Sequence, residues 1–212
     1  MPPEDDASAP VIRPAATTVL WRSGDNGPEV LMGQRGANAA FMPSKYVFPG
    51  GAVDPADHGS AVHFTLDAQC DFRLRMNCPP GAPTPEALGI AALRELWEET
   101  GLRLLPLSPN GNGLRFIFRA ITPPGRSRRF DARFFLIDAT CVSGNLNDFT
   151  EASDELSHLH WIGLSSARNL DLPFITEVVL SEISHLLSGT PGTSGVPFFD
   201  NSGPVPTFRR LA

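Results

Sequence analysis

The sequence predicts an α+β fold, and three observations predict it. Short β-branched and apolar runs bounded by turn signals recur through the first fifty residues and again between 102 and 137. One helical stretch sits near the middle of the chain, and a second, with apolar residues at helical spacing, lies near the C-terminus. Strands mixed with these two helices make an α+β domain.

Residues 1–10 are expected to be disordered. Val11 to Trp21 is apolar and β-branched enough for a strand. Asp25-Asn26-Gly27-Pro28 is a turn signal, and Glu29 to Arg35 returns as the second arm of a hairpin. Phe41-Met42-Pro43 breaks that arm, and Tyr46-Val47-Phe48 forms a third short strand before the glycine pair Gly50-Gly51. Residues 52–85 begin with Asp54-Pro55-Ala56-Asp57 and end in a Pro/Gly-rich run; Phe64, Leu66, Phe72, Leu74 and Met76 make this segment partly packed. A helix then starts at Thr84 or Pro85 and stops at Gly101, where a left-handed C-cap is wanted. Leu102 to Leu107 reads as strand, 108–113 as loop, and Leu114 to Ile121 and Phe130 to Ile137 as two strands around Thr122-Pro123-Pro124-Gly125. His160-Trp161-Ile162 is a short strand. The last helix follows Asp171, takes Pro173 in its first turn, and buries Ile175, Val179, Ile183 and Leu186. Residues 189–212 read as a Gly/Pro-rich tail, part of which docks through Phe198 and Phe199. The expected domain therefore covers 11–188.

With 42% hydrophobic and 19% charged residues, the 212-residue chain has the composition of a globular domain. Its net charge of −6, from 17 basic against 23 acidic residues, argues against a nucleic-acid-coating surface. No run approaches the roughly 18 apolar residues of a membrane span. Three cysteines, Cys70, Cys78 and Cys141, without Cys-x-x-Cys or a neighbouring His group, suggest reduced thiols and no zinc site. The start, Met1-Pro2-Pro3-Glu4-Asp5-Asp6, lacks the basic onset of a signal peptide. Cytoplasmic residence is the expectation.

The central helix carries the chemistry. In Arg94-Glu95-Leu96-Trp97-Glu98-Glu99-Thr100-Gly101, the three glutamates fall within an arc of about 100°. Gly89, Ile90, Leu93, Leu96 and Trp97 take the opposite arc, expected to be the buried one. Three carboxylates that close repel one another unless a cation sits among them. Mg²⁺, a hard ion that bridges carboxylates to phosphates, is the economical occupant. The competing account is the solvated face of an amphipathic helix. Arg94 lies four residues before Glu98 and can brace it across one turn.

These residues resemble the Nudix box, Gly-x5-Glu-x7-Arg-Glu-U-x-Glu-Glu-x-Gly-U with U aliphatic. Arg94, Glu95, Leu96, Glu98, Glu99, Gly101 and Leu102 match its second half; Gly51 resembles its opening glycine and Glu86 its first glutamate. Residues 52–85 then stand as an insertion inside the box. The resemblance implies a Nudix-type α/β/α sandwich with a mixed central sheet and the catalytic loop–helix–loop beside it. It also implies hydrolysis of a nucleoside diphosphate linked to another moiety, with Mg²⁺, or Mn²⁺ in its place, held by Glu95, Glu98, Glu99 and the Gly51 carbonyl. Gly50 would let backbone approach the substrate, and Arg94 would orient Glu98. The general base is either a helix glutamate or one of Glu151, Asp154 and Glu155, with Glu155 the preferred loop residue.

Arg126, Arg128, Arg129 and Arg133 cluster beside Phe130 and Phe134. Arg129 and Arg133 share a strand face with Asp131 and either bind phosphate or protect an exposed edge strand. Arg35, thirteen residues before Phe48, matches the first arginine of the coenzyme A-specific Nudix signature, although Ala40 and Ser44 depart from it. Phe41-Met42-Pro43 and Arg129 to Phe135 resemble a branch of coenzyme A diphosphatases with a long insertion in the box. The resemblance thus suggests coenzyme A or acyl-CoA as substrate. Hydrolysis of ADP-ribose or a dinucleoside polyphosphate, and a non-catalytic nucleotide-binding module, are the alternatives. A small-molecule nucleotide derivative is the expected partner, with neither nucleic acid nor membrane, and a homodimer is allowed for.

Overall fold

The computed structural model describes residues 10–59, 66–105, 113–189 and 194–212. The expected N-terminal disorder over residues 1–9, the packing of Phe64 and the expected loop at 108–112 lie outside the described residues. In chain order the elements are β1 (Ile12–Gly24), β2 (Gly27–Arg35), β3 (Tyr46–Val47), β4 (Gly50–Ala52), a 3-10 turn at Pro55–Asp57, α1 (Ala68–Arg75), α2 (Pro85–Thr100), β5 (Arg103–Leu104), β6 (Arg115–Ile121), β7 (Arg129–Asp138), a 3-10 turn at Ala139–Cys141, β8 (Val142–Ser143), β9 (Leu156–Gly163), a 3-10 turn at Ala167–Asn169, α3 (Phe174–Leu187), β10 (Val196–Asp200) and β11 (Thr207–Leu211).

Nine strands form one mixed sheet in the order β11-β10-β6-β7-β1-β2-β3, with β4 also on β1 and β9 also on β2. The β1–β7 and β6–β10 pairs are parallel and the other pairs antiparallel. Strand alternation sends successive side chains to opposite faces, so the sheet has two apolar faces and needs a cover on each. On one face Ala16, Leu20, Phe135 and Ile137 pack with Leu88, Ala92 and Leu96 of α2. On the other, Val19, Phe134 and Leu136 pack with Val179, Leu180 and Ile183 of α3. This is the expected α/β/α sandwich. Among the described residues no helix is long and apolar enough to cross a membrane. The three cysteines are free thiols.

Three expectations change. The C-terminal tail docks through Phe198 as expected, but as two strands of the domain's own sheet: β10 pairs with β6 and is itself paired by β11, burying Val196, Phe198 and Leu211. Without that pairing β6 would present an open edge. The segment from 52 to 85 opens with the last residue of β4 and contains α1, capped by Asp67, whose carboxylate accepts from the Gln69 and Cys70 amides at 3.0 and 2.9 Å. Within it Leu66 and Leu74 are buried, whereas Phe72 is 58% exposed. Finally, β7 lies between β6 and β1, so it is a central strand and its arginines protect no edge.

Candidate active site

Helix α2 is fixed at both ends. The Thr84 hydroxyl accepts from the Ala87 amide at 3.2 Å, and Gly101 turns left-handed at φ 73° while its N–H donates to the Trp97 carbonyl at 2.8 Å. The Thr18 hydroxyl on β1 donates to the Ala92 carbonyl at 2.9 Å, which ties the helix to the sheet. The face it buries differs from the one expected. Leu88, Ala91, Ala92 and Leu96 are buried, but so are Glu95 and Glu99, at 9% and 1% exposure, whereas Ile90, Leu93 and Trp97 are only partly covered. The reason is the element underneath. β4 offers Gly50 and Gly51 there, with no side chains to fill the space, so two carboxylates fit between helix and strand.

The glycine pair is a steric requirement. A Cβ on Gly51 would sit 2.3 Å from Glu95 Oε1, and one on Gly50 would sit 2.6 Å from the Ala16 carbonyl oxygen. The Gly50 N–H donates to Glu99 Oε2 at 2.7 Å, whereas Glu99 Oε1 is buried with no partner. Burial chiefly, with the charges of Glu95 and Glu155 adding, pushes the Glu99 carboxyl up to about 8, against the pull of the Gly50 N–H and Arg35. Burial likewise raises Glu95, opposed by Arg94 and helped by Glu98 and Glu155. Arg35, at the end of β2, is therefore near enough to act on Glu99, and its own Nε is buried without a partner. Glu155 is exposed just before β9, on a stretch tied to α2 by the Ser153 N–H, which donates to the Glu98 carbonyl at 2.7 Å.

Arg94 is the hub. Its Nε and Nη2 donate to the two carboxylate oxygens of Asp57, both at 3.0 Å, and Nη2 also reaches the Ala52 carbonyl at 3.0 Å. Its Nη1 donates to Glu95 Oε1 at 2.8 Å and to Glu98 Oε2 at 2.9 Å. The bidentate bond to Asp57, then Glu95, raises the pKa of the guanidinium. Asp57 is 2% exposed and was missed by the sequence reading, which looked to Glu86. Glu86 is half exposed, and its ion pair is a 3.9 Å contact with Arg75. The signal was present: Asp57 follows Gly51 by the five-residue gap of the family pattern, with Asp in place of Glu.

Arg129 and Arg133 do not join this cluster. Arg133 is 1% exposed and pairs with Asp131 Oδ2 at 2.9 Å; Arg119 grips the same carboxylate at 2.8 and 2.7 Å. Arg129 is 8% exposed and donates to the Thr122 and Asn201 carbonyls at 3.0 and 2.6 Å. Asp131 on the same strand face and Asn201 beyond β10 supply the acceptors that draw these guanidiniums inward. His158 and His160 pair locally, with the His160 Nδ1 2.7 Å from the His158 carbonyl.

The donors are oxygens, one of them buried and unpartnered, which suits a hard divalent cation. Among the described residues no three His, Cys, Asp or Glu side chains are gathered closely enough to share one ion. Arg94 instead occupies one oxygen each of Glu95 and Glu98.

The chain is similar to a Nudix hydrolase from Alicyclobacillus acidocaldarius, with 29% identity and a TM-score of 0.61, over 81% of this chain and 90% of that one. The chain belongs to the Nudix hydrolase superfamily. No family model matches it. Among curated proteins it is similar to an acyl-coenzyme A diphosphatase of Gallus gallus, at 34% identity over 39% of this chain. The match spans about a quarter of that relative's length, 26%. A C. elegans Ap4A hydrolase shares the fold, with 18% identity and a TM-score of 0.52 over 84% of this chain and 99% of that one. The two stretches that resemble the halves of the box pattern, Gly51 to Asp57 and Arg94 to Leu102, are brought together by the Asp57–Arg94 pair.

Proposed function

We propose that this chain is a divalent-metal-dependent hydrolase that cleaves the pyrophosphate bond of a nucleoside diphosphate linked to another moiety, with coenzyme A or an acyl-CoA as the leading substrate. The observation that carries the reading is Glu99, buried against the Gly50 amide with one carboxylate oxygen left without a partner. A buried acceptor left unmade is costly, and such groups gather where a ligand completes them.

Glu95 and Glu99 would hold Mg²⁺ or Mn²⁺ with the Gly51 carbonyl, and the exposed Glu98, now bonded to Arg94, would swing in to join them. The bound ion supplies charge neutralisation at the diphosphate and a water of lowered pKa. Asp57 and Arg94 hold Glu95 in place. Arg35, with its unpartnered Nε, supplies positive charge for phosphate oxygens on the substrate side. Glu155, exposed and electrically coupled to both buried glutamates, accepts the proton of the attacking water. Water adds to one phosphorus of the bridge, the bridging P–O bond breaks, and two phosphate-bearing products leave.

The test is a substrate panel of coenzyme A, ADP-ribose, NADH and diadenosine polyphosphates, with and without Mg²⁺ or Mn²⁺, read by mass spectrometry. Metal-dependent cleavage that is lost in Glu98→Gln supports the proposal. Absence of cleavage across the whole panel with either metal overturns it.

A further inference from the structure

The mechanism leaves Arg126 and Arg128 unused. Both are exposed in the turn between β6 and β7, and neither has a hydrogen-bond or ion-pair partner among the described residues. Arg13 on β1 is exposed in the same way and faces Phe130 across the parallel β1–β7 ladder. The turn is held against the loop that carries the β2–β3 connection. Ser127 Oγ donates to the Ala40 carbonyl at 3.3 Å, and the rings of Phe41 and Phe130 pack edge to face with centroids 5.1 Å apart. Residues 10–14, 36–45 and 122–130 thus meet at one end of the sheet, and none of the three stretches contains an Asp or a Glu. In a chain of net charge −6 this is a local concentration of uncompensated guanidinium.

Its place relative to the carboxylates is set by the register. Gly51 faces Ala16 on one side of β1, and Phe130 faces Arg13 on the other, three residues along. At about 3.3 Å per residue and about 4.8 Å per strand, the two points lie roughly 14 Å apart. By strand alternation Arg13 and Phe130 fall with Val19 and Phe134 on the α3 face, opposite the carboxylates under α2, so a nucleotide and an arginine stem would bridge the two around the β4 edge of the sheet. The patch is too far from Glu99 to serve the scissile diphosphate, and β7 is a central strand, so the arginines guard no edge.

We propose that Arg126 and Arg128, with Arg13, form a subsite for a second phosphoryl group, a phosphomonoester on the nucleoside half of the substrate, beside the Phe41–Phe130 aromatic surface. This rests on the pyrophosphohydrolase reading above. A phosphomonoester carries about −1.5 to −2 charge at neutral pH and three acceptor oxygens, which paired guanidinium forks match. The aromatic pair offers an apolar surface for a base. Such a subsite distinguishes a 3′-phosphorylated nucleotide from its dephosphorylated counterpart.

The experiment compares coenzyme A with dephospho-coenzyme A on the full chain. The wild type should favour coenzyme A by about tenfold or more in kcat/KM, mainly through KM, as expected for charge-assisted bonds. In the Arg126→Ala/Arg128→Ala double variant this ratio should fall toward one, and lysine at both positions should restore part of it. A wild-type ratio near one, or an equal fall on both substrates, overturns the proposal. A second measurement separates it from the hydrolase reading. Calorimetry with adenosine 3′,5′-bisphosphate against adenosine 5′-monophosphate reads the subsite without turnover. Tighter binding of the bisphosphate, lost in the double variant, supports the subsite even if no substrate is cleaved; equal binding of the two nucleotides overturns it even if cleavage is observed.

Discussion

Glu99 sets the behaviour of the site at the scale of one residue. It holds its proton up to about pH 8 in the folded chain, against 4.5 as the ordinary value. Between those values the native state binds more protons than the unfolded state. The stability contributed by the protonated carboxyl is therefore fully present at low pH and is lost as pH rises toward 8. Metal-free protein should lose on the order of a few kcal/mol across that window, by denaturant titration. Glu99→Gln, which imitates the protonated form, should flatten the slope; an unchanged slope would show that another group governs it. Mg²⁺ binding should release a proton near neutrality, visible as a buffer-dependent heat. Asp57 is the second decisive residue. Asp57→Asn keeps the shape but halves the grip on Arg94, so kcat should fall about 10- to 100-fold, as for other groups that orient ligating side chains. Glu86→Gln, at a position that touches Arg75 only at 3.9 Å, should leave kcat within about twofold. Equal losses in the two variants would contradict the assignment of Asp57.

Helix α2 shows what local spacing can and cannot settle at the scale of an element. Its limits were legible: Thr84, Pro85 and Gly101 each do what capping chemistry asks of them. Gly101→Ala places a Cβ at φ 73° and 2.9 Å from Glu151 Cβ, so it should cost about 1–2 kcal/mol, measured by thermal unfolding. Which face is buried was not legible. An apolar arc marks the buried side only when the opposing surface is itself apolar, and here the opposing surface is a pair of glycine backbones. The arginines of β7 make the same point. Arg129, Asp131 and Arg133 do share a face, as alternation requires, but the partner that neutralises Asp131 most tightly is Arg119 on β6. Asp131→Ala would strand two buried guanidiniums, and should destabilise the chain by about 3–5 kcal/mol in denaturant unfolding, with no direct effect on Mg²⁺ binding.

At the scale of the whole molecule, the sheet is closed on the β6 side by residues that look like a tail. A chain ending at residue 189 would uncover the edge of β6 and the apolar surface that Val196 and Phe198 cover. It should aggregate or unfold in size-exclusion chromatography and circular dichroism. A monomeric, cooperatively folding truncation would show that β10 and β11 are dispensable. In the short strand Val196–Asp200 three β-forming side chains are interrupted by Pro197, which argues against a paired strand until β6 and β11 are seen on either side of it.

By itself the sequence determined the α+β class, the β1–β2 hairpin, the caps of α2, the apolar stripe of α3 and the clustering of Arg94, Glu95, Glu98 and Glu99 on one helix. Those features depend on neighbours within a turn or along one strand, so spacing reveals them. Only the tertiary structure decided that Asp57 braces Arg94, that Glu95 and Glu99 are buried against Gly50 and Gly51, that Arg129 and Arg133 turn inward, and that the tail completes the sheet. Each of those depends on a partner far away in the chain, and the energy that selects it, desolvation of a charge against the bond that compensates it, exists only once the two segments are packed together.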